Sequence, residues 1–178
     1  MAFLLKKSRM KGKIFSGILV LFFLFILALP SASGWEGYVV KVLDGDSLRV
    51  KRGHKIVEIR LYGIDCPEWG QDFGNRAKKA LKKKIFHKNV TVEPRDIDRY
   101  GRTVALVRSS AGLVNSELVR EGFAWMYPRY CRDQPLCSNM QDLQDRAKAR
   151  KIGLWRASHP VSPWAWKWHK KRKRYKRH

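Results

Sequence analysis

Three clusters of side chains in this sequence carry the residue types that phosphoryl chemistry needs. They are Asp44-Gly45-Asp46, the stretch from Arg60 to Glu68 that holds Asp65 and Cys66, and Asp98-Arg99-Tyr100-Gly101-Arg102. Asp46 and Asp65 offer anionic oxygens to a hard cation such as Ca2+, which takes about 6–8 oxygen ligands and completes its shell with carbonyls and water. Arg60 and Arg102 present planar forks that grip phosphoryl oxygens two at a time and stabilise the charge added when water attacks. Glu68, three residues after Asp65, is spaced to position or deprotonate that water. Taken singly, each cluster has an ordinary reading: a turn, a capped loop, a basic hairpin tip. An EF-hand is excluded, because no third ligand, Gly and Glu follow Asp46 at the required positions. Together, the clusters account for metal, clamp and base.

The elements that must hold them follow from hydrophobic period. Gly37 to Val42 reads as a strand broken by the Asp-Gly-Asp turn, and Ser47–Lys51 and Ile56–Tyr62 alternate about Arg52-Gly53-His54 as a hairpin. Cys66-Pro67 opens a Gly-rich loop. Ala77, Ala80, Leu81 and Ile85 recur at helical spacing over 75–86, with lysines forming a solvated face. Val90–Val92 and Thr103–Val107 are short strands around the polar connection Arg95–Gly101. Asn115 reads as the N-cap of a short helix reaching Glu121, with Gly122 at its stop. Met140, Leu143, Ala147 and Ile152 mark a further helix stopped at Gly153. The result is an α+β domain whose five strands could close a barrel, flanked by about three helices.

The 178 residues carry 38 Lys+Arg against 15 Asp+Glu, a formal charge of +23. Such a charge calls for a polyanionic partner: nucleic acid, anionic membrane or acidic polysaccharide. The length excludes a two-domain enzyme with a separate cofactor domain. Charge is concentrated at the ends: residues 1–33 hold five bases and no acid, residues 167–178 hold eight bases and no acid, and +10 is left between. Residues 1–33 join a basic stretch to an apolar run, Ile14–Leu29, and then to small residues, as in a signal peptide. The other reading is a retained membrane anchor. Either way the body is expected outside the cytoplasm, secreted or periplasmic, where a Cys131–Cys137 disulfide is plausible. A zinc site is disfavoured, since the sequence has no CxxC. Residues 158–178 form a Trp/Lys/Arg-rich tail expected to be extended or disordered. Its Trp164, Trp166 and Trp168 suit stacking on bases or contact with an anionic membrane.

The segments VVKVLDGDSLRV, IRLYGIDCPE, DRYGRTVALV, VNSELVREGFA and IGLW, in this order between Gly37 and Trp155, resemble the staphylococcal nuclease family. The resemblance implies an OB-like five-stranded barrel over residues 34–157 and a Ca2+-dependent hydrolase of DNA and RNA. It would be a sugar-nonspecific endonuclease that is monomeric and needs no protein partner. It implies Asp46, Asp65 and the Cys66 backbone carbonyl as metal ligands, with Arg60 and Arg102 on the scissile phosphate and Glu68 on the water. Arg99, Tyr100 and Tyr130 resemble the family's substrate contacts. Cys66 and Ser47 stand where threonines are familiar, and the loop after Glu68 is shorter. The cysteine pair and the tail fall outside the family pattern. The alternative is an OB-like module that binds nucleic acid without cutting it.

Overall fold

The structure is a computed structural model and describes residues 34–175; the expected N-terminal leader or anchor, residues 1–33, lies outside the described residues. Strand β1 (Trp35–Val42) pairs antiparallel with β2 (Ser47–Arg52), which pairs with β3 (Lys55–Leu61) in the expected hairpin. After β4 (Ile64–Asp65) and helix α1 (Gly74–Ile85), β5 (Asn89–Ile97) returns against β1 and continues into β6 (Thr103–Ser109). Parallel pairing of β3 with β6, at Ile59–Thr103, Arg60–Val104 and Leu61–Ala105, closes the five strands into a barrel. The short β7 (Gly112–Leu113) extends β6, and α2 (Val114–Arg120) follows it. Strand β8 (Trp125–Met126) then pairs with β4. Helix α3 (Leu136–Ala149) and helix α4 (Pro163–Tyr175) complete the chain, each preceded by a 3-10 turn.

Alternation explains the barrel wall. Leu48 and Val50 on β2 and Ile59 and Leu61 on β3 are buried, with charged neighbours between or beside them facing out. Strand β6 buries Ala105, Leu106 and Val107 in succession, because both of its faces are covered. On α1, Ala77, Leu81 and Ile85 form one buried stripe at four-residue spacing, while Lys82, Lys83 and Lys84 sit at the helix end whose dipole favours cations. Lys84 reaches α2, where its ammonium donates to Glu117 at 2.9 Å and Glu121 at 2.8 Å. No described helix is long and apolar enough to cross a membrane.

Several expectations need correction. The polar connection Arg95–Gly101 is shorter than expected, because β5 runs on to Ile97 past an irregularity between Pro94 and Asp96. Asn115 caps nothing. It is fully buried, accepts the Val107 N–H at 3.0 Å and donates to the carbonyls of Tyr62 and Ala105, which ties α2 to the barrel. Helix α3 ends at Ala149, short of Gly153, because the chain turns back at Lys151, whose φ is 51°. The tail expected to be extended or disordered forms α4, a fourth helix. Its start was signalled by Ser162-Pro163, as proline suits the first helical position.

Candidate active site

Asp46 lies at the β1–β2 turn, where its backbone N–H donates to Asp44 Oδ1 at 3.0 Å and its carbonyl accepts Leu61 N–H at 2.8 Å. The turn is clamped from below by close approach. A Cβ on Gly45 would stand 2.6 Å from Cys66 Cβ and 2.9 Å from Ala77 Cβ, so only glycine lets the turn, β4 and α1 meet here. Cys66 in turn donates its N–H to Asp46 Oδ2 at 2.6 Å. Strand register places Arg60 opposite Ser47, beside the same turn. Its guanidinium bridges Asp46 and Asp65, the second at 2.7 Å. Both carboxylates are buried, Asp46 at 5% and Asp65 at 1% exposure.

Glu68 hangs over this cluster on the loop before α1. Its N–H donates to Gln71 Oε1 at 3.0 Å, and its carbonyl accepts the Gln71 N–H at 3.0 Å. Gly74 is needed for this loop, because a Cβ there would fall 2.1 Å from the Glu68 carbonyl oxygen. Arg102 approaches from the β5–β6 turn and donates to Ser47 Oγ at 3.4 Å. Asp98 presets it: Oδ2 accepts Arg102 Nε at 2.8 Å, while Oδ1 accepts the N–H groups of Tyr100 and Arg102. Although burial works the other way, the N–H and side-chain donors of Arg102 hold the Asp98 carboxyl below the usual carboxylate range.

Tyr100 is exposed beside Arg102, with the Arg99 guanidinium 4.9 Å above its ring. Tyr100 and Arg102, with Glu58 and Gly101, line an open cleft of about 320 Å³. Arg60, Asp46, Asp65, Cys66 and Glu68 therefore converge, Arg102 borders them, and Tyr100 lines the cleft with Arg99 against its ring. Tyr130 packs against Tyr127, with ring centres 4.9 Å apart.

Three features escaped sequence reasoning. Gln71 and Gly74 shape the Glu68 loop, yet nothing in their spacing sets them apart from ordinary loop residues. Lys167 of α4 was read as tail charge, but its ammonium donates to Glu68 Oε1 at 2.8 Å and sits 3.3 Å from Asp65 Oδ2. Cys66 is buried, its thiol donates to the Gly45 carbonyl at 3.2 Å, and burial pushes its pKa well up.

The electrostatics reflect crowding of like charge. Burial, then the neighbouring Asp46 carboxylate, pushes Asp44 up to about 7. Burial pushes Asp65 up to about 6, with Asp46 adding to the rise while Arg60 and Lys167 pull it back. For Arg60, burial opposes the charge, but Asp46 and Asp65 outweigh it and hold the guanidinium above its ordinary value. Among the described residues no three His, Cys, Asp or Glu side chains gather to hold a metal. The donors present are the two buried carboxylates of Asp46 and Asp65. They are all oxygen, and they fit a hard cation that takes its remaining ligands from water.

The Staphylococcal nuclease homologue family matches residues 58–157, a span that includes Arg60, Asp65, Glu68 and Arg102. The chain belongs to the staphylococcal nuclease family. It is 33% identical over 151 residues to the micrococcal nuclease of Shigella flexneri, covering 80% of this chain and 86% of that one. It is 41% identical over 146 residues to an uncharacterized endonuclease of Escherichia coli O157:H7, covering 81% and 93%. Protein ParB of Escherichia coli is 36% identical over 151 residues, covering 80% and 84%. As a staphylococcal nuclease homologue it carries the family's OB-like barrel, and its substrate class is nucleic acid.

Proposed function

We propose that this protein is an exported, Ca2+-dependent endonuclease that hydrolyses both DNA and RNA with little sequence preference. The observation that carries the proposal is the convergence of Asp46, Asp65, Arg60 and Glu68 at one end of the barrel, with Arg102 poised beside them. Asp46, Asp65 and the Cys66 carbonyl would hold Ca2+, which would supply positive charge for a phosphate oxygen. Glu68 orients the attacking water and takes its proton. Arg60 and Arg102 grip the phosphate and stabilise the charge that builds on it. Arg99, Tyr100 and Tyr130 contact the flanking strand. Excess positive charge reads the backbone rather than base edges, which makes specificity loose. Export is supported by the basic-apolar leader in residues 1–33 and by the Cys131–Cys137 disulfide.

The second reading is an OB-like module that binds nucleic acid without cutting it, and it draws on one observation. Arg60 and Lys167 already neutralise the carboxylates that the chemistry requires.

The deciding experiment incubates the purified protein with supercoiled plasmid and with RNA, first in calcium and then in EGTA. Both substrates are expected to be cut in calcium and spared in EGTA. Glu68→Gln and Arg102→Ala should each lower turnover by about 10²-fold or more. Cleavage that survives EGTA would remove the metal from the mechanism, and binding without cleavage would favour the module.

A further inference from the structure

Helix α4 lies against the active site and is fixed there by its first turn. Trp164 stacks flat on Tyr127, with centres 4.6 Å apart and planes 8° apart, and meets the edge of Trp125 at 5.6 Å. Just before the helix, the Val161 carbonyl accepts Gln71 Nε2 at 2.7 Å, on the loop that carries Glu68. Lys167 follows Trp164 by three positions, so the two side chains leave the same helix face. With Trp164 seated, the Lys167 ammonium reaches Glu68 Oε1 at 2.8 Å and both Asp65 oxygens at 3.3 and 3.4 Å.

Asp65 is thus fully engaged by two side-chain cations. Arg60 donates to its Oδ1, and Lys167 approaches both oxygens. A divalent ion seeking Asp65 meets two positive charges already seated on it. They differ in how readily they yield. Arg60 is 16% exposed and locked between Asp46 and Asp65, whereas Lys167 is 50% exposed on a flexible four-carbon stem. The ammonium can leave while Trp164 keeps the helix in place.

We propose that Lys167 is the resident cation of the Asp65–Glu68 pair and competes with the divalent metal for Asp65, so that α4 sets the metal affinity of the site. This inference rests on the metal-dependent reading above and adds to it a residue from outside the barrel. In the metal-free protein Lys167 holds the two carboxylates in place of the ion, and metal binding displaces its side chain but not its helix.

The test is calorimetric titration of the full chain with calcium, for wild type, Lys167→Met and Lys167→Arg, alongside melting of each protein in EGTA. Lys167→Met keeps the stem but loses the charge, so it should bind calcium about tenfold more tightly or better. In EGTA it should melt below wild type, because Asp65 and Glu68 lose their cation. Lys167→Arg restores a charge and should return both readings towards wild type. If wild type binds calcium and Lys167→Met binds it equally or more weakly, the competition is overturned while the metal-dependent reading stands. If Lys167→Arg behaves like Lys167→Met, charge is not the cause and the inference fails. Should neither wild type nor Lys167→Met bind calcium, the metal-dependent reading falls and this inference falls with it.

Discussion

At the scale of single residues, the site depends on side chains that never need to touch substrate. Asp98 is the clearest case, since it fixes the Arg102 guanidinium and the turn that presents it. In Asp98→Ala, Arg102 is free to swing away from the cleft, and misplacement of about an ångström is enough to cost one to two orders of magnitude. Turnover should therefore fall about ten- to a hundredfold. Steady-state kinetics on a short oligonucleotide measure it, with Asp98→Asn recovering part of the loss through the hydrogen bonds it can still accept. A melting temperature lowered enough to account for the loss would show that Asp98 serves the fold rather than Arg102. Asp46, Asp65 and Glu68 were legible in the sequence because a minority of acids in a basic chain stands out. Lys167 was not, because one lysine among eight terminal bases carries no local signal. Its role comes only from where Trp164 puts it.

At the scale of elements, β1, β2, β3, β6 and α1 could be read from period alone and run close to the expected bounds, whereas β5 runs on past its expected end. What could not be read is docking. Asn115 looked like a cap because caps and buried brackets use the same amide chemistry; only the tertiary position of Tyr62 and Ala105 distinguishes them. Helix α4 was missed for a related reason: a Trp- and Lys-rich segment has no core of its own and becomes a helix by leaning on Tyr127 and Trp125. The α1–α2 joint makes a testable electrostatic case. Burial alone would lower the Lys84 pKa, but the hydrogen bonds it donates to Glu121 and Glu117 overcome this and raise it above 10.5. A raised lysine pKa means stability that is fully present below the unfolded value and is lost as pH climbs through the folded one. Lys84→Met should cost about 1–2 kcal/mol near neutral pH. That gap from wild type should narrow above about pH 10.5, the ordinary lysine value. Urea titrations at a series of pH values check this, and a gap independent of pH would assign the loss to packing instead.

For the whole molecule, the barrel has one joint unlike the rest. Strands β2 and β3, and likewise β5 and β6, are held by six register pairs each, whereas β3 and β6 meet through three parallel pairs. Arg60 sits inside that short joint and Arg102 immediately precedes it. The two arginines proposed to grip the phosphate, one on β3 and one just before β6, are therefore brought together along this seam. Local openings need far less free energy than global unfolding, and a short junction is where they concentrate. Opening the seam parts the arginines while both hairpins and the helices remain folded. Warming should then switch off cleavage several degrees below the melting temperature, reversibly, when activity is followed at temperature beside circular dichroism. Amide exchange gives the same reading residue by residue. The Tyr62 N–H, which crosses to the Ala105 carbonyl at 2.8 Å, should exchange faster than the amides inside the β1–β2 ladder. Where cleavage is lost before the fold, tolerance to heat belongs to three rungs rather than to the core, and lengthening that junction is the direct route to a catalyst that works hotter.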